Sequence, residues 1–207
     1  MITSEPNFLH ELSVFHKGYS LVAGVDEVGR GPLAGPVVAA AVILNPKNIP
    51  EGLNDSKKLS KKRRNELYLK IQEFAIFSIA EASVAEIDRM SIYHASHLAM
   101  CRAVNGLQIP AQFVLVDGNK IPKNLIIPST AIVKGDAKSY SIAAASILAK
   151  VTRDKYMVDL AQQFPGYEWE NNVGYPTKSH IFALKKLGVT PHHRVTFKPV
   201  HNILYQE

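Results

Sequence analysis

The sequence predicts an α/β domain whose central sheet mixes parallel and antiparallel strands. Two apolar runs, residues 21–25 and Val37–Leu44, follow each other closely enough to be neighbouring strands. Farther along, strand-like runs alternate with helical patterns, which is typical of strands joined by helices. The length of 207 residues suits one well-packed domain. We expect a single domain over residues 1–207, with its core at about 20–190.

The first half of the chain supplies strands, a loop and two helices. The loop over residues 29–36 contains two prolines, which suit a connection or a strand edge. Leu67, Ile71 and Phe74 recur at helical spacing, so residues 65–74 are predicted to form a helix. The next predicted elements are a strand over residues 76–82 and a long helix over residues 84–107.

The second half alternates strands and helices. An apolar run over residues 113–116 stops at Asp117-Gly118-Asn119, a strong turn sequence. Residues 125–133 are predicted to be a strand that Pro128 interrupts. The remaining predictions are helices over residues 139–164 and 177–187, followed by a small helical extension over residues 191–207.

Composition indicates an ordinary globular protein with a polyanionic partner. Hydrophobic residues make up 46% and charged residues 20%. Lys and Arg total 24 against 18 Asp and Glu, a formal net charge of +6 that favours nucleic acid or an anionic membrane surface. Cys101 is the single cysteine, which excludes a disulfide within the chain and predicts a cytoplasmic location. We expect neither a signal peptide nor a membrane span, because no apolar run reaches roughly 20 residues.

Acidic residues follow two of the predicted strands. Asp26 and Glu27 end the first apolar run, and Asp117 ends a later one. Reactive groups gather at strand ends in sheet proteins. Adjacent carboxylates repel each other, and a divalent cation offsets that repulsion. Oxygen ligands without clustered Cys or His predict Mg²⁺ or Mn²⁺. Asp117-Gly118-Asn119 taken alone is more often only a turn.

A further acid, Asp154, lies on the predicted helix over residues 139–164. Ile147, Val151 and Val158 share its face at helical spacing. An acid on an apolar stripe faces the core or a cleft and needs a partner. The sequence leaves two alternatives open, a catalytic role and an ion pair with Lys150.

The loop after the acid pair is suited to close contact with a ligand. In Gly29-Arg30-Gly31, the glycines permit close backbone approach and Arg30 suits phosphate. The spacing does not match a Walker or Rossmann loop. Tyr175, in a later Gly-Tyr-Pro loop, is suited to stacking on a sugar or base, although a loop tyrosine taken in isolation is more often structural.

A dense run of cations precedes the first predicted helix. It predicts a track for a phosphate backbone, and the alternatives are a solvated helix face or a nuclear-localisation-like run. Its members are Lys57, Lys58, Lys61, Lys62, Arg63 and Arg64.

Six stretches of the sequence resemble the ribonuclease HII family. The first stretch, which contains Asp26-Glu27-Val28-Gly29-Arg30-Gly31-Pro32, is highly specific, and the six stretches run in the expected order along the chain. The stretches are residues 23–38, 54–59, 116–119, 139–154, 174–180 and 193–200.

The resemblance implies a ribonuclease H-like fold and endonucleolytic cleavage of the RNA strand of RNA–DNA hybrids. It also implies incision 5′ of single ribonucleotides embedded in duplex DNA, a step of ribonucleotide excision repair, leaving 5′-phosphate and 3′-hydroxyl ends. Two ions, Mn²⁺ or Mg²⁺, would serve the reaction in a monomeric protein. The implied catalytic and metal-binding residues are Asp26, Glu27, Asp117 and Asp154.

The resemblance also assigns substrate contacts. Gly29, Arg30, Gly31 and Tyr175 would read the 2′-hydroxyl at the RNA–DNA junction, with the tyrosine ring stacked on the neighbouring deoxyribose. The residues expected to contact phosphates are Lys57 and Lys58, together with His193 and Arg194 in the tail.

Two other functions remain open from the sequence. A DNA-directed nuclease of the same fold would use the same acids without a 2′-hydroxyl reader. A non-catalytic basic nucleic-acid-binding protein would explain the cationic run, but not acids placed at separate strand ends, which would weaken binding.

Overall fold

The computed structural model of the chain describes residues 5–205, and its centre is a five-stranded sheet. The strands are β1 (Val22–Val28), β2 (Val37–Leu44), β3 (Ala75–Ala82), β4 (Phe113–Asp117) and β5 (Ser129–Ile132). Their order across the sheet is β3-β2-β1-β4-β5. β2 pairs antiparallel with β1 and β3, whereas β4 pairs parallel with β1 and β5. The predicted mixed sheet is confirmed.

Helices cover both faces of this sheet. Within residues 5–205 they are α1 (Leu9–Phe15), α2 (Lys61–Phe74), α3 (Val84–Met90), α4 (Ile92–Asn105), α5 (Tyr140–Gln163), α6 (Trp169–Asn172), α7 (Lys178–Leu187) and α8 (Lys198–Tyr205). α4 packs on one face, and α5 packs on the other with α2 beside it. Among these helices, none is long and apolar enough to cross a membrane.

Alternation along the strands divides the core into two layers. Ala39 and Ala41 of β2 join the apolar cluster under α4, whereas Val38 and Val42 join the cluster under α5. This is the period of two that a strand buried on both faces requires. Gly24 allows the first turn of α5 to rest on β1, because a Cβ there would overlap the backbone of α5.

The predicted long helix over residues 84–107 is wrong in one respect, because it is two helices. Ser91 has a φ of 76°, which ends α3 and begins α4 in a new direction. The tail is tied to this junction, since the Asp88 carboxylate accepts hydrogen bonds from the backbone N–H groups of Val195 and Thr196 at 3.1 and 3.0 Å.

Several boundaries also differ from the sequence prediction. β1 continues to Val28, so the acid pair lies inside the strand. α2 begins at Lys61 because the Ser60 side chain caps it by accepting from the Arg63 amide. β5 is shorter than the predicted strand, and α1 and α6 are helices that were not predicted from the sequence.

The C-terminal segment packs against the loop after β1. The predicted helical extension contains α8. Ahead of it, His193 forms an isolated bridge with Ala34, and the Gly35 amide donates to the His192 carbonyl at 2.9 Å. The tail is therefore part of the structure that supports the loop over residues 29–36.

Candidate active site

Parallel pairing brings two of the predicted acids together at one end of the sheet. Val25 of β1 lies opposite Val116 of β4, so the next residues, Asp26 and Asp117, are neighbours. The Asp117 carboxylate is held in place because its Oδ1 accepts from the Gly135 amide at 2.6 Å. This edge of the sheet is where the chain can present several carboxylates to one ligand.

Another acid, which was not predicted, reaches the same edge of the sheet from the turn after β5. Asp136 lies in a single 3₁₀ turn, Gly135–Ala137, and its amide lies 3.4 Å from Asp117 Oδ1. Asp136 was not among the site residues predicted from the sequence. Its signal was present, since Gly135-Asp136 follows a strand much as Asp117 ends one, and parallel β4 and β5 end at the same edge.

These acids share a cavity of about 210 Å³ with most of the predicted site residues. Of the predicted catalytic and junction-reading residues, Asp154 is the one absent from its lining, and of the predicted phosphate-contacting residues Lys57 is the one present. The lining residues are Asp26, Glu27, Val28, Gly29, Arg30, Gly31, Ser56, Lys57, Asp117, Asp136, Ser146 and Tyr175.

The negative charge of this cavity is only partly compensated by the protein. Burial, and next the charge of Glu27, raise the pKa of Asp26 well above its usual range. Burial also raises the pKa of Glu27, although an ion pair with Arg30 at 3.0 Å opposes that rise. Burial and the charge of Asp117 raise the pKa of Asp136. Carboxylates that resist ionisation in this way are stabilised by a cation.

Lys57 is the lysine that faces this cluster. Burial by itself lowers the pKa of Lys57, but the combined negative charge of the surrounding carboxylates, first that of Asp136 and Asp55, raises it overall. The Lys57 amide donates to Asp55 Oδ1 at 2.9 Å, which anchors the loop. Lys57 and Lys58 are both exposed, but of the two only Lys57 lines the cavity, so the two predicted phosphate-binding lysines have different surroundings.

The structure does not bring Asp154 to the other predicted acids. Lys150 Nζ donates to Asp154 Oδ1 at 2.7 Å, which is the ion pair considered as the alternative from sequence. Asp154 lines a separate cleft between α2 and α5, together with Lys61 and Lys155. The reason is geometric, because this part of α5 faces α2 and not the strand ends.

Two buried arginines hold the loop that contains Gly29-Arg30-Gly31. Arg194 donates to the Gly29 carbonyl at 2.6 Å and to the Arg30 carbonyl at 3.1 Å. Arg153 packs against Gly29, where φ is +96° and a Cβ would overlap the guanidinium. Only glycine fits that position without strain. The prediction that His193 and Arg194 contact phosphates is wrong, because both side chains are buried.

Tyr175 stands beside this loop. Its ring carbon Cε1 would lie 3.4 Å from a Cβ placed on Gly31, which is ordinary contact distance. The side chain is partly open to solvent, with 40% exposure, and it lines the acidic cavity. The glycine loop and an accessible aromatic ring therefore border the carboxylates directly.

The donor set fits a hard divalent cation. The cavity offers carboxylate oxygens, and burial first, then like charge, raises the pKa values of Asp26, Glu27 and Asp136. Within residues 5–205, no three His, Cys, Asp or Glu side chains already converge on one point that an ion could occupy.

The sheet and its acidic edge define a protein of the ribonuclease H fold. The crystal structure of ribonuclease H2 from Pyrococcus horikoshii superimposes with a TM-score of 0.77 at 30% identity, covering 90% of this chain and 98% of that one. Bst ribonuclease HIII, solved with Mn²⁺, shares the fold with a TM-score of 0.72 at 19% identity, covering 92% and 71%.

Sequence comparison then identifies the family. The Ribonuclease HII family model matches residues 23–200. Ribonuclease HII of Ruegeria pomeroyi is 61% identical over 204 residues, which cover 99% of this chain and 87% of that protein. The chain belongs to the ribonuclease HII family. It is an endonucleolytic ribonuclease H that acts on RNA–DNA hybrids.

Proposed function

We propose that this enzyme also incises duplex DNA 5′ of single embedded ribonucleotides. The observation that supports the proposal is the direct adjacency of a carboxylate cluster and a rigid glycine loop with an accessible tyrosine. The cluster would act on the phosphodiester. The loop and ring would select the sugar beside it.

We propose that Asp26, Glu27, Asp117 and Asp136 hold divalent cations. Asp136 replaces the Asp154 that was predicted from the sequence, because Asp136 shares the cavity and its charge acts on Asp26. Mg²⁺ or Mn²⁺ held there would supply an acidified water and neutralise charge at the phosphate and the leaving 3′-oxygen, giving 5′-phosphate and 3′-hydroxyl ends. The Mn²⁺ in Bst ribonuclease HIII agrees with an ion of this type.

The protein's own groups position the substrate. The carbonyls of Gly29 and Arg30 are already engaged by Arg194, so the loop keeps its shape without a ligand. Backbone groups held rigidly can form hydrogen bonds with a 2′-hydroxyl, which only RNA carries. The exposed face of Tyr175 would stack on the adjacent deoxyribose, and Lys57 would contact a phosphate.

Cleavage mapping tests this proposal. The substrate is a duplex with one ribonucleotide, labelled at either end and incubated with Mg²⁺ or Mn²⁺ in turn. We expect a single incision on the 5′ side of the ribonucleotide, with a 3′-hydroxyl on the upstream fragment. The matched controls are the all-DNA duplex of the same sequence and the same reaction with chelator, and neither should be cleaved.

The alternatives give different results in the same assay. Cleavage of branched all-DNA substrates would indicate a DNA-directed nuclease. Cleavage of hybrids without incision at the single ribonucleotide would contradict the proposed junction activity while leaving the ribonuclease H activity intact. Binding without cleavage under either metal would indicate a binding protein.

A further inference from the structure

Behind Tyr175 lies a buried cluster of three aromatic side chains that the reaction itself does not use. Trp169 of α6, His180 of α7 and His193 of the tail are all 0–1% exposed. Trp169 Nε1 donates to His180 Nε2 at 3.0 Å, and the two histidine Nε2 atoms lie 3.1 Å apart. His180 Nδ1 lies 2.9 Å from the carbonyl oxygen of Tyr175.

The hydrogen bonds determine where each proton resides. The indole N–H of Trp169 can only donate, so His180 Nε2 carries no proton and the proton lies on Nδ1. His180 Nδ1–H therefore donates to the Tyr175 carbonyl. The Thr190 amide donates to His193 Nδ1 at 3.0 Å, so the His193 proton lies on Nε2 and is donated to His180 Nε2.

This arrangement requires both imidazoles to be neutral. Protonation of His180 would place an N–H against two other donors, and protonation of His193 would place one against the Thr190 amide. Burial lowers the pKa of His180, and burial together with the charge of His180 lowers that of His193 to about 3. The cluster therefore keeps one fixed set of donors near neutral pH.

The same tail also holds the loop of Gly29, Arg30 and Gly31, which together with Tyr175 forms the proposed junction-reading surface. Arg194, directly after His193, donates to the carbonyls of Gly29 and Gly35 at 2.6 and 2.8 Å. Adjacent tail residues thus connect to the glycine loop on one side and, through His180, to the backbone of Tyr175 on the other. The distance between loop and ring depends on both connections.

We propose that His180 is a positioning residue that places Tyr175 for substrate recognition, with His193 and Trp169 fixing its tautomer. The role in recognition rests on the proposed junction-reading function of Tyr175. The side chain of His180 is fully buried and contacts the backbone carbonyl of Tyr175, so His180 acts without touching substrate.

Two conservative variants separate positioning from general stability. His180→Asn keeps a donor near the Nδ1 position and loses the acceptor for Trp169. His180→Gln keeps an acceptor near the Nε2 position and loses the donor to Tyr175. We expect His180→Gln to lower the rate on the embedded ribonucleotide relative to the uniform hybrid by about fivefold, the effect of one lost hydrogen bond, and His180→Asn to retain the wild-type ratio.

The ratio of the two rates does not depend on the fraction of folded protein in a preparation, so the ratio of a destabilised variant can still be compared with that of wild type. His192→Gln is the matched control, because the ring of His192 packs on Phe164 and its backbone alone contacts the loop. It should leave the ratio unchanged. In a Tyr175→Ala background, His180→Gln should cause no further loss, because its effect passes through Tyr175.

Amide hydrogen exchange of residues 173–177 measures positioning without reference to activity. We expect faster exchange in His180→Gln and wild-type exchange in His180→Asn. Equal effects of both variants on ratio and exchange, or no effect of His180→Gln, would overturn the proposal. If Tyr175→Ala leaves the ratio unchanged while exchange responds as expected, positioning stands and the junction-reading function of Tyr175 fails.

Discussion

Two acidic regions of this enzyme differ in how their charge is balanced. At the edge of β1 and β4, several carboxylates share a cavity, and burial with mutual repulsion raises the pKa values of Asp26, Glu27 and Asp136. In the cleft between α2 and α5, Asp154 pairs with Lys150 at 2.7 Å, and further cations line the same cleft. The first region has excess negative charge and the second has its own counterions.

This difference shows what distinguishes a metal site from a structural acid. Both regions contain partly buried acids near strands or helices of the core, so residue type and burial alone do not separate them. The balance of neighbouring charge does, because a carboxylate already paired with lysine gains little from a cation.

The largest expected effect comes from removing a charge in the first region. Asp26→Asn should lower kcat/KM on an RNA–DNA hybrid by roughly a hundredfold to a thousandfold, the range for losing a group that stabilises transition-state charge. The measurement is steady-state cleavage with Mg²⁺ and with Mn²⁺, with thermal unfolding to confirm the fold. Full activity in either metal would remove Asp26 from the proposed ligands.

A matched pair of variants tests the comparison directly. Asp136→Asn should lose activity on the scale of Asp26→Asn, whereas Asp154→Asn should stay close to wild type, because only Asp136 shares the cavity. Both substitutions remove one charge and preserve shape. The reverse result, an active Asp136→Asn and an inactive Asp154→Asn, would restore the assignment made from sequence.

The dependence of folding stability on pH, measured in the presence of chelator, should also distinguish the two acidic regions, although the expected effect is smaller. The folded-state pKa values of Asp26, Glu27 and Asp136 are raised, so the folded state binds more protons than the unfolded state above about pH 4. Stability from these groups therefore falls as pH rises from the ordinary pKa through the raised one. Asp26→Asn should raise the unfolding temperature at neutral pH, and the gain should vanish towards pH 4.

The second region supplies the control for that measurement. Asp154→Asn breaks an i,i+4 ion pair and should lower stability by about 0.3–0.5 kcal/mol near neutral pH. Added Mg²⁺ should stabilise wild type and Asp154→Asn alike, and Asp26→Asn less. A gain in stability for Asp154→Asn in chelator would contradict the charge balance described here.

The smallest effect is expected at the lysines. Lys57→Gln should raise KM for the hybrid about fivefold and reduce the salt dependence of binding by about one phosphate contact. Lys58→Gln is the matched neighbour and should change KM less, because Lys58 does not line the cavity. Equal effects of the two variants would indicate a diffuse basic track.

Local patterns were sufficient for much of the site and most of the sheet. Asp26, Glu27 and Asp117 follow apolar runs, and the glycines around Arg30 mark a close backbone approach, so their proximity could be inferred without coordinates. The helix break at Ser91 could not be predicted from the sequence, because serine is rare at a φ of 76° and the apolar spacing continues across this residue.

By itself, the sequence determined the fold class, the family and the strand-end acids, since these depend on residues adjacent along the chain. Only the tertiary structure decided which further acid joins them. Asp154 lies on a face of α5 with regular apolar spacing, but that face packs towards α2 and the lysines of the cleft between the two helices. Asp136 lies in an inconspicuous turn, and the parallel register of β4 and β5 carries it to the other carboxylates. A glycine–acid pair after a strand could mark Asp136 as a candidate. It could not show which acid is already paired with a lysine, because charge balance is a property of neighbours in space.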